Sequence, residues 1–192
     1  MAAPFAAPSS QRPLAAGCGL PRRSVTPPET RLWFRMTQTP FGLLRIEQGQ
    51  SLVLSWDTKH ECHGHQDQNL HQPLVEAIQG WCEGKFVDIS LWLPTGQDFT
   101  SRVLQTCALI PWGEIRTYGQ VADAAESPRA IRAVGQAMRR NPLPLLIPCH
   151  RVVSASGIGG YSGQDQDGPQ LVRKRAILAF EQDVTQSSAS SI

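Results

Sequence analysis

The first half of the chain alternates apolar and polar residues in short runs, a pattern typical of strands. Two such runs, residues 42–47 and 51–56, flank a Gln-Gly-Gln turn and predict a β-hairpin. Residues 73–83 have helical spacing and are followed by Gly84, a residue type that commonly stops helices. The apolar face of this predicted helix contains Leu74, Ala77, Ile78 and Trp81.

A third alternating run, residues 88–93, predicts another strand. Strands with one helix indicate a small α+β domain over residues 32–97. Residues 1–31 are rich in Ala, Pro and Ser without apolar periodicity, so we expect a disordered leader. An organelle transit peptide and an over-extended start, with Met36 as the true first residue, also fit that composition.

After residue 98 the apolar residues recur at helical spacing and predict three helices. Their apolar faces contain Phe99, Val103, Cys107 and Ile110 in the first helix, and Tyr118, Val121, Ala122 and Ala125 in the second. The third is predicted to begin at Ser127-Pro128, because serine caps helix N-termini and proline suits the first turn. It buries Ile131, Val134 and Met138 and ends before a second proline.

The outer face of the third helix is basic and polar, with Arg132, Gln136 and Arg139 spaced four and three residues apart. Two short helices joined by a turn, the second with a basic outer face, have the arrangement of a helix-turn-helix. An ordinary helical hairpin with solvated arginines fits this segment equally well. The segment alone does not choose between the two.

Charge is divided unevenly along the chain. Residues 32–98 carry four basic and eight acidic side chains, whereas residues 99–182 carry ten basic and six acidic ones. A basic C-terminal half fits contact with a polyanion, although ordinary surface variation produces the same split. Apolar residues make up 41% of the chain, enough for a packed core, and no apolar run approaches the roughly twenty residues of a membrane span. We therefore expect a protein with no membrane partner.

Cys149 and His150 form an adjacent thiol and imidazole. A thiol becomes a good nucleophile as thiolate, which a neighbouring base can generate. The prolines around this pair predict a turn, in which both side chains can face one cavity. For such a pair taken alone, a buried structural cysteine is the commoner outcome. All five cysteines are irregularly spaced and form no CxxC pair, which favours reduced thiols in a cytosol-like compartment.

Residues 141–151, the following Val-Val pair and the Gly-Gly-Tyr-Ser-Gly run at 159–163 resemble the active-site signature of the O6-alkylguanine-DNA alkyltransferases. The likeness extends over about residues 99–182. It implies an N-terminal antiparallel-sheet domain of RNase H-like type, followed over residues 98–183 by an all-α, winged-helix-like helix-turn-helix domain. It also implies DNA repair by direct reversal, in a single-turnover methyltransferase that moves an alkyl group irreversibly from O6-alkylguanine to Cys149, with O4-alkylthymine as a further candidate substrate.

The resemblance assigns roles in this reaction. Cys149 attacks the alkyl carbon, His150 acts as base through a water molecule, and Glu181 orients the histidine. Asn141 ties the active-site turn together, and Tyr118 supplies a proton or hydrogen bond to the departing guanine. The residues implied to surround the substrate are Val152, Tyr161, Ser162 and Lys174.

Glu181 has support that is independent of the resemblance. Leu171, Lys174, Leu178 and Glu181 fall on one helical face. An acid that continues an apolar stripe is buried and needs a partner. The alternative is a solvated residue at a frayed helix end.

Double-stranded DNA is the implied partner, entered through its minor groove with the alkylguanine flipped out of the stack. By resemblance, Arg132 fills the vacated space. The residues expected to contact DNA are Arg132, Ala133, Gly135, Gln136, Arg139 and Arg151. We expect a cytoplasmic monomer of bacterial type that uses no cofactor and no metal.

Several features depart from the family pattern or lie outside it. Residues 164–169 form an acidic insertion beside the implied pocket, and Trp112 stands where a tyrosine is expected. Residues 184–192 are expected to be a disordered tail. The cluster His60, Cys62, His63 and His65 has metal-binding residue types, but its spacing is not a standard zinc pattern, and no metal site is predicted.

Three other classes of protein compete with the alkyltransferase. A lesion-binding relative without transfer activity lacks the cysteine, which this chain has. A helix-turn-helix regulator that senses alkylation needs an activator domain or a zinc-cysteine sensor, and residues 1–98 show neither. A Cys-His hydrolase accounts for Cys149 and His150 but leaves the basic helix unexplained.

Overall fold

The computed structural model of the chain describes residues 33–49, 51–56, 65–159 and 168–190. Outside these ranges lie the predicted leader at 1–31 and most of the insertion, residues 164–167. The individual residues outside them include His60, Cys62, His63, Tyr161 and Ser162. The side chain of His65 is likewise not described.

A four-stranded sheet forms the N-terminal part. Its strands are β1 (Trp33–Thr39), β2 (Gly42–Gln48), β3 (Leu52–Trp56) and β4 (His65–Gln66). Their order is β3-β2-β1-β4, with antiparallel pairing except between β1 and β4, which are parallel. The predicted hairpin is confirmed as β2 and β3, with Ile46 opposite Leu54, and both side chains are buried.

The predicted N-terminal helix is confirmed as α1 (Gln72–Cys82). Its buried residues are Leu74, Val75, Ala77, Ile78 and Trp81. Gly84 follows with a φ of 75°, a left-handed conformation that favours glycine. A Cβ atom at Gly84 would lie 3.1 Å from Val184 near the other end of the chain. Gly84 therefore both ends α1 and allows close packing against the C-terminal helix.

The strand predicted at residues 88–93 is wrong. Residues Ser90–Trp92 form a short 3-10 turn, because the Asp88 carboxylate accepts a hydrogen bond from the Ser90 backbone N–H at 2.9 Å. Leu91 is 87% exposed. An alternating pattern without a neighbouring strand to pair with does not form a sheet.

The described residues of the C-terminal part form four α-helices and a pair of short strands. They are α2 (Phe99–Ala108), β5 (Arg116–Thr117), α3 (Tyr118–Ala124), α4 (Ile131–Arg139), β6 (Val152–Val153) and α5 (Pro169–Ala189). Asp98 caps α2, and Thr117 with Gln120 forms a capping box at the start of α3. The two strands pair in parallel, so the expectation of an all-α domain is corrected to a mixed one.

The third predicted helix begins later than expected. Its first residue is Ile131 and its N-cap is Ala130, which makes no side-chain cap, so the assignment of Ser127 as N-cap is wrong. The Ala130 N–H instead donates to the Ser127 carbonyl at 2.8 Å, which closes a turn before the helix. Ile131 is 49% exposed rather than buried, because this first residue faces away from the core that Val134 enters.

Helix α5 continues to Ala189, so the disordered tail expected from residue 184 is corrected for residues 184–189. Hydroxyl groups in this last part donate to carbonyls four residues earlier, as from Thr185 to Glu181 at 2.8 Å. Val184 also lies against Gly84 and Thr185 against Gly113. These contacts connect the end of the helix to both parts of the fold. No helix among the described residues is long and apolar enough to cross a membrane.

Candidate active site

Asn141 organises the loop that carries the candidate nucleophile. Its side-chain NH2 donates to the Ile147 carbonyl at 2.8 Å, and its side-chain oxygen accepts from the Leu143 N–H at 3.0 Å. Within this loop Leu145 has a φ of 80°, a strained conformation for a branched residue. The two Asn141 bonds clamp the loop on both sides of Leu145, which explains how the strain persists.

The loop leads into the 3-10 turn Cys149–Arg151, where Cys149 and His150 are each 2% exposed. The His150 Nε2 atom lies 2.9 Å from Oε1 of Glu181, which is fully buried. The carboxylate can only accept, so the ring carries its proton on Nε2 and leaves Nδ1 as the acceptor. The burial predicted for Glu181 from its helical stripe, and its need for a partner, are therefore both confirmed.

Arg151 is the second partner of Glu181. Its Nε atom lies 2.9 Å from Oε2, its Nη2 atom lies 2.6 Å from Oε1, and its remaining terminal nitrogen donates to the Ile110 carbonyl. The guanidinium lies 5.6 Å from the centroid of the Trp112 ring. Arg151 is only 5% exposed, so its assignment as a DNA contact is corrected: it is a buried counter-ion.

Burial and the neighbouring charges set the protonation state of His150. Burial lowers the pKa of His150 and outweighs the opposing effect of Glu181. Burial also acts to raise the pKa of Glu181, but hydrogen bonds from His150 and Arg151 leave it below its ordinary value. Burial, supported by the positive charges of Arg151 and Lys174, therefore keeps the imidazole neutral, so that it can act as a base.

Lys174 and Tyr118 lie beside the thiol. The Lys174 Nζ atom donates to the Val152 carbonyl at 2.6 Å, and both residues are buried. Burial lowers the pKa of Lys174 to about 8, against the opposing influence of Cys149 and Cys107. Burial, with Cys149 and Cys107, raises the pKa of Tyr118 to about 12, so the phenol keeps its proton at neutral pH.

The outer face of α4 carries the remaining candidate DNA contacts. Arg132, Ala133, Gln136 and Arg139 are exposed. A Cβ atom added at Gly135 would meet nothing within 4 Å. This face therefore offers two cationic side chains on either side of a stretch with small side chains, open to a large partner.

Two residues lie near the site although no sequence pattern predicts that they do. Cys107 was correctly predicted as core, and burial together with the nearby Cys149 raises the pKa of its thiol. Trp81, from the N-terminal part, meets the His150 ring edge-on with centroids 6.1 Å apart. Both contacts join residues far apart in the sequence, which no local pattern encodes.

Comparison with known proteins identifies the relatives of this chain. Residues 98–183 match the family model described as 6-O-methylguanine DNA methyltransferase, DNA binding domain. A methylated-DNA–protein-cysteine methyltransferase of Mycobacterium bovis is 37% identical over 156 residues, which cover 77% of this chain and 91% of that protein. A protein of the same name from Archaeoglobus fulgidus is 49% identical over 110 residues, covering 56% and 72% of the two chains.

The fold agrees with solved structures as well. The crystal structure of Mycobacterium tuberculosis O6-methylguanine methyltransferase aligns with a TM-score of 0.65 and 32% identity, over 79% of this chain and 93% of the other. A structure of Mycobacterium tuberculosis OGT in complex with DNA aligns with a TM-score of 0.64 and 32% identity, over 79% and 94%. The present chain belongs to the family of methylated-DNA–protein-cysteine methyltransferases.

Proposed function

We propose that this protein repairs DNA by direct reversal, taking an alkyl group from O6 of guanine onto Cys149 once per molecule. The observation that carries the proposal is the turn in which Cys149 is followed by His150, whose ring is held 2.9 Å from buried Glu181. A nucleophile, a neutral base and a carboxylate that orients the base are the parts that such a transfer needs.

The transfer is a single displacement at the alkyl carbon. The Cys149 sulfur forms a bond to that carbon while the carbon–O6 bond breaks, and its electron pair stays on guanine. Nδ1 of His150 takes the thiol proton through a water molecule, and Glu181 stabilises the imidazolium that forms. The thioether is a poor leaving group, so the protein is consumed.

Tyr118 and Lys174 act on the guanine side of the reaction. The phenol of Tyr118 is protonated at neutral pH and donates a hydrogen bond to the departing base. Lys174 donates to the Val152 carbonyl, and by family resemblance the same carbonyl also accepts a hydrogen bond from the guanine amino group. By family resemblance, Tyr161 and Ser162 complete this pocket.

The DNA side of the proposal rests on α4. A thiol buried in a turn cannot reach a base inside a duplex, so the alkylguanine is flipped out. Arg132 enters the vacated stack, and Ala133 and Gly135 let the helix approach the minor groove closely. Gln136 and Arg139 contact the phosphate backbone, which makes repair nearly independent of sequence.

Finer assignments follow from the same proposal. The N-terminal sheet with α1 is of RNase H-like type, and α3 with α4 is a helix-turn-helix of winged-helix type. A reduced thiol and a chromosomal substrate assign the protein to the cytoplasm of a bacterial cell.

The test is to incubate the protein with a duplex containing O6-methylguanine and to weigh its peptides afterwards. The expected result is one methyl group on the Cys149 peptide of the wild type and none in Cys149→Ser. Cys82→Ser, which changes a half-buried thiol outside the site, should react like the wild type. Binding without any gain in mass would contradict transfer and favour a lesion-binding protein.

A further inference from the structure

An aromatic cluster joins the two parts of the molecule. It consists of Phe41 and Trp81 from the N-terminal part and of Trp112 and Phe180 from the C-terminal part. Neighbouring rings in it have centroids as close as 4.9 Å, between Trp81 and Trp112. Trp81 packs on the other three rings and, with an interplanar angle of 81°, also meets the ring of His150.

Trp81 also lines a cavity of about 760 Å³. Its walls come from residues 84–93, from the end of α2 and from the last turns of α5. Trp81, Trp112 and Arg151 line this cavity, whereas His150 and Glu181 do not. The space is large enough for many water molecules, at about 30 Å³ each. The Trp81 indole therefore borders both this space and the base of the reaction.

We propose that Trp81 is a positioning residue for alkyl transfer, contributed by the N-terminal part of the chain. It fixes the plane of the His150 ring by edge-to-face packing and keeps water from the contact between His150 and Glu181. The inference rests on the proposed function, because it concerns the base of that reaction. Through Trp81 the N-terminal part contributes to the reaction, a role that its amino-acid composition does not predict.

The pH dependence follows from the surroundings of His150. Glu181 and Lys174 face it from α5, Arg151 and Cys149 from its own turn, and the contact from α1 is the uncharged Trp81. Burial holds the pKa of His150 below its ordinary value. Opening the site to water moves that pKa back toward about 6.5. The base is then protonated over more of the acidic range and reacts more slowly there.

The experiment compares Trp81→Ala and Trp81→Phe with Ile78→Ala, a control at a fully buried residue of the same helix. Benzyl transfer from free O6-benzylguanine to Cys149 is followed by mass spectrometry over the pH range in which histidine titrates, with thermal unfolding measured in parallel. Trp81→Ala should slow transfer at neutral pH roughly tenfold, a part of what a general base supplies. Its acidic limb should move to higher pH, and Trp81→Phe should restore most of both properties.

The control separates positioning from folding. Ile78→Ala should lose thermal stability but keep the wild-type pH profile. An unshifted acidic limb in Trp81→Ala, or an equal shift in Ile78→Ala, would overturn the role of Trp81. If Trp81→Ala does not fold, Trp81→Leu takes its place, with the same expectation. A wild type that takes no methyl group from a duplex containing O6-methylguanine would contradict the proposed function itself, whereas a reactive wild type with unshifted variants contradicts the positioning role alone.

Discussion

The two parts of the molecule differ in what they bury. In the C-terminal part four side chains of the acidic and basic residue types, His150, Arg151, Lys174 and Glu181, are each at most 5% exposed. Among the described residues before 98, the buried polar side chains are those of Thr37 and Thr39. Burying an ionisable group is unfavourable unless it is paired or kept neutral, so a core that contains four such side chains is suited to chemistry rather than to stability.

The N-terminal part contributes contacts instead of reactive groups. The Leu54 N–H of β3 donates to the Pro142 carbonyl at 2.6 Å, next to the asparagine that clamps the active-site loop. Arg173 donates from Nε to the Phe41 carbonyl at 3.1 Å, one residue before Lys174 on α5. The sheet and α1 therefore brace the active-site loop and the helix behind it. The comparison predicts that removing a charged side chain lowers stability and transfer strongly in the C-terminal part and only slightly in the N-terminal part.

Removal of the Glu181 carboxylate should have the largest effect. Glu181→Ala leaves Arg151 buried without its partner, and breaking a buried pair costs about 3–5 kcal/mol of the free energy of unfolding. Benzyl transfer should also fall by about 100-fold, because His150 loses its orientation. Urea unfolding and mass spectrometry measure the two effects.

The matched change in the N-terminal part is Glu76→Ala. Glu76 is exposed and accepts a bond from Gln72 at 2.9 Å on the surface of α1. It should lose at most about 0.5 kcal/mol, as surface substitutions do, and keep full transfer. Equal stability losses at Glu76 and Glu181 would remove the contrast between the two parts.

Arg132→Ala should separate DNA handling from chemistry. Without a side chain to fill the vacated stack, base flipping becomes less favourable by a few kcal/mol, so repair of O6-methylguanine in duplex should slow by about 10- to 100-fold. Transfer from free O6-benzylguanine should not change, since Arg132 is exposed on α4 and is not part of the turn that carries Cys149. Arg35→Ala, a change on β1, should alter neither rate. Equal losses on both substrates would contradict the role of Arg132.

The sequence was most informative where local periodicity matches the local structure. The hairpin of β2 and β3, the apolar face of α1 and the burial of Glu181 on α5 all follow from spacing alone. The prediction of a strand at residues 88–93 was wrong, because a strand needs a neighbouring strand to pair with and residue spacing does not reveal one. The start of α4 failed because a turn closed by backbone bonds took the place of the expected serine cap.

The site was predictable in its members and less so in its connections. The motif around Cys149 identified the thiol and the imidazole through family resemblance. Arg151 was misassigned to DNA because an arginine in a basic region looks like a phosphate contact. The 3-10 turn directs it inward to a carboxylate thirty residues away. Trp81 could not be found from sequence, since its contact with His150 depends on how the two parts pack together.

Arg173→Met tests the contact by which the N-terminal part braces α5, and it should lower stability moderately. The change removes the bond to the Phe41 carbonyl and the guanidinium 4.5 Å from the Trp56 ring centroid, together worth about 2 kcal/mol of stability. The alkylation rate should stay within about twofold of the wild type at temperatures where the protein is folded. Arg129→Met, at an exposed position, should change neither property. A large loss of rate in Arg173→Met would mean that the brace also sets the active-site geometry.

The smallest effect should be a dependence of stability on pH that originates in the C-terminal part. The pKa of His150 is lowered by burial, so between that pKa and the ordinary value near 6.5 the unfolded chain binds more protons than the folded protein. Stability should therefore fall as the pH drops below about 6.5, by less than about 1.4 kcal/mol per pH unit.

His150→Gln provides the control, because glutamine does not titrate and keeps a donor for Glu181. Its free energy of unfolding should vary less over the same interval than that of the wild type. Glu181 adds a second loss of the same sign at more acidic pH, because its pKa is also lowered and its stabilising charge disappears as the pH falls through that pKa. Equal slopes in the wild type and His150→Gln below pH 6.5 would mean that the imidazole is not held neutral by burial. The neutral base on which the transfer depends would then need another origin.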